Sequence, residues 1–420
     1  MISNKHKSLT YIVNAGCSYG VISDSYLNFI CHLQNDTPFG IYDKCPFLNV
    51  KKEIGSNILK KYVFINVNRG GMTSQYITDS VIYAVDVLLE KGVPPNKIHV
   101  ISEFTNFERP TYNQPLRNLH HDFFNLNKNA TAVGTVQCTP ENNEIIDWFY
   151  GLDKLTHVNG ISTFYSLGKM IYMNAQGAPS YLDKTQSKYL DDDICNHTFG
   201  QMNEFKKFVT QEYLLKLYLD NILRLQYYLK SHNIKYNSFF INSQFSHFDY
   251  HDGHLIRKQW LTEANPYVMH RTDSRYRFKN KNFKEYYNAT ETNDISNIYP
   301  PIKQWIDKID FSNWWMYETD EVRYGGVDEY AIYNFDWYGY LKTIPNTPEE
   351  QHIPYFFNHP SQFVYVLLWN EIVSIDELKL TDDYLNWIKE GIYFLSNLKD
   401  RTNTYLLNTE QFHKDDIKNP

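Results

Sequence analysis

Near the start of the chain, Gly16-Cys17-Ser18-Tyr19-Gly20 sets a hydroxyl among small residues directly after an apolar run, Tyr11-Ile12-Val13-Asn14-Ala15. The run reads as a buried strand. A small-residue turn at the end of such a strand lifts a serine hydroxyl above the sheet and leaves backbone N–H groups free beside it. A nucleophile and the oxyanion it creates need that arrangement. The same residue types also suit an ordinary strand-to-helix turn, so the later loops of the chain decide between the two readings.

Three further segments carry chemistry. Asn68-Arg69-Gly70-Gly71-Met72-Thr73-Ser74 holds a glycine pair that lets the backbone approach a ligand and aim an N–H at it. It also reads as a turn before a helix capped by Thr73 or Ser74. Thr105-Asn106-Phe107-Glu108-Arg109 offers the Asn106 amide to a developing oxyanion, or a turn-forming asparagine. Late in the chain, Phe357-Asn358-His359-Pro360-Ser361 carries His359, a general-base candidate in a loop before a helix. A fourth cluster, His247-Phe248-Asp249-Tyr250-His251-Asp252-Gly253-His254, packs metal-ligand residue types together at a spacing that fits no standard zinc motif. Asp252 or Asp249 could instead orient His359.

The elements that must position these loops follow from hydrophobic pattern. Residues 9–15, 62–67 and 98–104 read as strands, and residues 74–91 as an amphipathic helix ended by Gly92, Pro94 and Pro95. A further helix is expected from near Ser25 to Leu33. The β-α-β-α-β order predicts a parallel sheet with helices on both faces. Loops at the carboxyl ends of strands one, two and three then carry Ser18, Gly71 and Asn106, at the edge where open parallel sheets build sites. Residues 203–231 suit a long helix and 238–242 a fourth strand. Residues 362–372 read as a helix, and 375–420 as another helix with a polar end.

The expected organisation is a first core half over 1–110, an insertion over 111–200, and a core helix and strand over 201–245. A second insertion comes next over 246–350, then the His359 block over 351–375, then a terminal helix and tail over 376–420. The first insertion is expected to lie over the sheet rather than in it, and the second reads as irregular. Their aromatics, including Trp148, Tyr150, Trp314, Trp315 and Trp337, are candidates for stacking on sugar rings. Aromatic residues make up 16% of the chain, with 35 tyrosines; on composition alone codon bias is the favoured explanation, given the accompanying Asn, Lys and Ile.

With 420 residues the chain can bury a large core. A net charge of -7 argues against a general nucleic-acid binder. No apolar stretch reaches the ~18 residues of a membrane span, and no secretory signal opens the chain. Cys17, Cys31, Cys45, Cys138 and Cys195 are odd in number and lack a CxxC pair, which fits a reducing compartment better than a disulfide framework. A cytoplasmic or virion-associated protein is expected, with no cofactor and no resident metal.

Together, Ser, Gly, Asn and His in successive loops give an order that resembles the SGNH, or GDSL-like, hydrolase family. Gly16-Cys17-Ser18 occupies the family's Gly-Asp-Ser block, with Cys in place of Asp. Gly71-Met72-Thr73-Ser74 is similar to the second block, Phe104-Thr105-Asn106 to the third without its Gly, and His359-Pro360 to the last. The Gly-Cys-Ser, Gly-Gly-x-x-Ser and His-Pro-Ser forms are closest to SGNH-like proteins found in bacteriophage genomes. The resemblance spans 9–109 and 203–372 and implies a three-layer flavodoxin-like parallel sheet with two large insertions. It implies a serine esterase with Ser18 and His359 catalytic, and Ser18, Gly71 and Asn106 holding the oxyanion. An ester substrate, such as an O-acetylated carbohydrate, would follow. The acid that the family places three residues before its His is Phe356 here, so a dyad or an acid from elsewhere is expected. Assembly into a viral particle with little activity is the alternative. The Gly-x-Ser-x-Gly match to an α/β-hydrolase elbow is set aside, because Ser18 follows only one strand.

Overall fold

Continuous apolar runs form the centre of the sheet, as strands covered on both faces require. In the computed structural model, β1 (Thr10–Ala15) is buried from Tyr11 onward, and β2 (Tyr62–Asn66) and β3 (Ile98–Phe104) are buried throughout. The structure describes residues 4–17, 22–31, 48–68, 73–107, 111–115, 135–149, 164–167, 170–174, 210–245, 248–251, 254–257, 300–319, 322–335 and 362–397.

Three more strands complete a six-stranded sheet: β5 (Thr135–Gln137), β8 (Lys235–Phe240) and β11 (Trp314–Trp315). Its order is β11-β8-β3-β1-β2-β5. β1 pairs in parallel with both neighbours, Val13 opposite Ile65 on one side and Val100 on the other. His99 meets Asn237 at 2.8 Å and Ser102 meets Ser238 at 2.8 Å, pairs that advance in the same direction along β3 and β8. β5 runs antiparallel to β2. The four inner strands therefore stand in the order two-one-three-four. The chain leaves β1 toward one side and returns for β3 on the other, which makes the carboxyl end of β1 a topological switch point. Two smaller sheets stand apart: β4 (Thr111–Pro115) with β7 (Met170–Asn174) and β6 (Phe164–Leu167), and the hairpin of β9 (Phe248–His251) and β10 (His254–Arg257).

The helices are α1 (Asn4–Ser8), α2 (Ile22–Cys31), α3 (Leu48–Lys61), α4 (Ser74–Glu90), α5 (Glu144–Trp148), α6 (Gln211–Ser231), α7 (Pro300–Ile306), α8 (Val327–Phe335), α9 (Gln362–Ile372) and α10 (Asp382–Asn397). The chain divides into two compact units. One holds Met1–Val21, Leu59–Phe239 and Pro301–Trp314; the other holds Ile22–Ile58, Phe240–Pro300 and Trp315–Pro420.

In the first unit α4 packs on β1 and β3, and α6 lies along α4. Thr78 donates to the Asn221 carbonyl at 3.1 Å, Arg224 pairs with Asp79 at 2.5 Å, and Tyr228 donates to Asp86. Both helices end in a residue with positive φ. After α4 it is Gly92, whose N–H bonds Leu89, while the Val93 N–H reaches back to Leu88. After α6 it is Asn233, bonded to Lys230, with Ile234 reaching back to Leu229. Both are Schellman endings, which satisfy the last carbonyls and turn the chain toward the next strand.

In the second unit α9 is apolar all round. Val364 to Trp369 are buried without a break, as a helix enclosed by its neighbours must be. α2 and α10 pack on it. Tyr26 lies flat on Trp369 with ring centroids 4.8 Å apart, and the Trp369 indole N–H donates to the Leu378 carbonyl at 3.0 Å. α9 is also anchored by Glu371, which accepts from the Tyr330 hydroxyl at 2.9 Å and the Trp315 indole at 3.1 Å.

Several elements differ from expectation. α2 starts three residues earlier than expected, at Ile22, and β8 starts at Lys235 rather than 238. The segment expected to lie over the sheet supplies one edge strand, β5, and the second segment, read as irregular, supplies the other, β11. Both are very short and are defined by a distant partner, so neither leaves a periodic signature. No helix among the described residues is long and apolar enough to cross a membrane.

Candidate functional site

Three loops leave the same edge of the sheet, the carboxyl ends of β1, β2 and β3. The first continues from Ala15 through Gly16 and Cys17, both buried. Ala15 stands opposite Ser102, the last paired step between β1 and β3. Beyond it the Cys17 N–H donates to Glu103 Oε2 at 3.2 Å, and the Cys17 thiol donates to Glu103 Oε1 at 2.9 Å. Cys17 and Glu103 are each fully buried. A carboxylate thus takes over as acceptor where the backbone ladder stops, and it holds the residue immediately before Ser18.

The second loop starts with Val67, whose N–H donates to the Asn14 carbonyl at 2.8 Å. Asn68 then turns on the Asn66 side chain, N–H to Oδ1 at 2.9 Å. After Gly71, Thr73 caps α4 by accepting from the Tyr76 N–H at 3.3 Å. The third loop leaves β3 through Thr105, Asn106 and Phe107. Asn106 is half-buried between two buried neighbours, and Phe107 sits edge-on to Tyr218 at 6.4 Å. Asn106 is therefore at the sheet's carboxyl edge, one strand away from the Ser18 loop.

Ser18, Gly71, His359 and Asp252 lie outside the described residues, as do Tyr150 and Trp337. Asp249 lies in β9, opposite Ile256. The register of β9 and β10 sets His251 opposite His254 and leaves two residues between them, Asp252-Gly253. That dipeptide is a strong hairpin signal, and it explains why a stretch read as a ligand cluster contains a strand pair. Among the described residues no group of three or more His, Cys, Asp or Glu is placed to hold a metal.

Three candidate sugar-stacking residues take part in internal packing. Trp148 lies edge-on to His6 at 5.3 Å and stacks on Tyr11 at 6.3 Å. Trp314 stacks on Phe104 at 5.4 Å, and Trp315 stands edge-on to Tyr330 at 5.5 Å. Cys17, Cys31 and Cys138 form no disulfide. Burial pushes the Cys31 thiol up to about 12, so it stays protonated and inert.

Two buried carboxylates escaped the sequence reading. Glu103 is the only acidic residue in a strand otherwise composed of Ile98, His99, Val100, Ile101, Ser102 and Phe104. An acid in a strand of that composition was the signal. Glu329, in the second unit, accepts from the N–H groups of Ser243 at 3.1 Å and Gly326 at 2.7 Å. It caps its own helix α8 and holds the chain as it leaves β8. No family model, curated protein or solved structure matches the chain.

Proposed function

We propose that the chain is a serine esterase of the SGNH type, built on a three-layer flavodoxin-like core with two large insertions. The observation that carries the reading is the packing of α2 on α9. α2 begins four residues after Ser18, and α9 begins three residues after His359. Tyr26 on Trp369 locks these two helices together. The strand order adds support. β1, which precedes Ser18 in the chain, lies between β2 and β3, which precede Gly71 and Asn106.

In this reading Ser18 Oγ attacks an ester carbonyl carbon while His359 takes its proton. The carbonyl oxygen becomes an oxyanion held by the Ser18 and Gly71 N–H groups and the Asn106 side-chain amide. One such donor is worth about 3 kcal/mol. Collapse breaks the bond to the alcohol oxygen, which leaves with the proton from His359. Water then attacks the acyl-enzyme, His359 takes its proton, and the acid leaves as Ser18 is restored. His359 acts as a dyad base against a backbone carbonyl or is oriented by Asp252 or Asp249. The substrate proposed is an O-acetylated carbohydrate.

Phe356, in the slot of the family's acid, favours a second reading: a structural or receptor-binding component of a viral particle on the same scaffold, with little activity. Labelling with a fluorophosphonate separates the two. Covalent modification that needs both Ser18 and His359 supports the esterase; a folded protein that never labels supports the particle component.

A further inference from the structure

Glu103 stands where a buried carboxylate is costly. It is fully enclosed, in the middle layer of the fold, on a strand whose neighbours are apolar. Burial of a carboxyl group is tolerated only where hydrogen bonds compensate, and here each of its oxygens accepts from Cys17. Oε2 accepts from the Cys17 backbone and Oε1 from the Cys17 thiol. Cys17 is 86 residues away in sequence and adjacent to Ser18. Backbone pairing between β1 and β3 ends one step earlier, at Ala15 and Ser102. The carboxylate therefore stands in for a ladder partner of the Gly16–Cys17 peptide, at the point where the chain must turn.

We propose that Glu103 is a positioning residue for Ser18. The proposal rests on the esterase reading and deepens it. By holding the Cys17 amide and side chain, Glu103 restricts the φ of Cys17 and narrows the orientations open to the next peptide plane, whose nitrogen belongs to Ser18. The proposed role of the two contacts is to narrow both the approach of Ser18 Oγ and the aim of one oxyanion donor. Glu103 touches neither substrate nor reacting atoms; it acts through Cys17. A leucine there would fill the space but could not accept a hydrogen bond.

The test is the rate of fluorophosphonate labelling at Ser18 in wild type, Glu103→Ala and Glu103→Gln, with folding followed by circular dichroism. Gln keeps a carbonyl oxygen for the Cys17 N–H and should rescue. Displacing a reacting group by about 1 Å can cost about 100-fold, so Glu103→Ala should label at least about 30-fold more slowly, with Glu103→Gln within about threefold of wild type. A folded Glu103→Ala protein that labels like wild type overturns the proposal and leaves the esterase reading standing. Should Glu103→Ala fail to fold, Glu103→Leu, which fills the space without accepting a hydrogen bond, decides: a folded Leu variant that labels at least about 30-fold more slowly supports the role, and one that labels at the wild-type rate overturns it. A folded wild type that does not label removes the esterase reading, and the positioning role with it.

Discussion

Tyr26 and Trp369 lie face to face, 4.8 Å between ring centres and 18° between ring planes, and both are fully buried. The pair joins the helix that follows the Ser18 loop to the helix that follows the His359 loop. Removing the larger ring should leave a cavity that α2 and α9 cannot close. Trp369→Ala is expected to cost about 3–5 kcal/mol, read as a lower urea midpoint. Trp369→Phe, which keeps a flat ring, should cost clearly less.

Acid should weaken the fold through His99. Burial holds its imidazole down at about 4, against an ordinary 6.5, despite the opposing hydrogen bond to Asn237. Between those two values the unfolded chain binds the proton and the folded chain does not, so stability falls as pH drops from 6.5 to 4. The full contribution is about 3 kcal/mol, and it is intact above pH 6.5. His99→Gln cannot titrate, and its stability should change less over that interval when urea midpoints are compared across pH.

Gly326 lies against the chain leaving β8. A Cβ there would fall 2.2 Å from the Phe240 carbonyl oxygen and 2.6 Å from the Asn242 nitrogen. Both are backbone atoms and cannot swing aside. Gly326→Ala should therefore destabilise the protein by about 1–3 kcal/mol, seen as a lower melting temperature with an unchanged far-ultraviolet spectrum.

The ending of α6 predicts a gain. Asn233 is exposed and holds a φ of 56°. Glycine reaches that conformation without a Cβ clash. Asn233→Gly is expected to raise stability by about 0.5–1 kcal/mol, measured by the same urea titration.

The parts of this fold legible in sequence are those written in local pattern. Tyr11 to Ala15 and Ile98 to Phe104 form strands because short runs dominated by β-branched and aromatic residues recur there. α4 stops where Gly92 permits the turn, and its start is marked by the Thr73 cap. The edge strands were not legible, since Trp314-Trp315 becomes a strand only against β8, far back in the chain. The candidate site divides in the same way. Asn106 could be assigned to a strand exit from order alone. Glu103 could not be assigned to Cys17, because only the parallel register of β1 and β3 brings them together. The internal contacts of Trp148, Trp314 and Trp315 were not legible for a related reason: an aromatic ring reads the same in sequence whether its face meets a ligand or Phe104.

The central claim is that Ser18 is a nucleophile activated by His359. Its most direct test is covalent labelling of the intact chain with a fluorophosphonate probe, with the modified residue located by peptide mass spectrometry. The account predicts labelling of wild type at Ser18, and none in folded Ser18→Ala or His359→Ala. A folded wild type that stays unlabelled, or labelling that persists without His359, would contradict it.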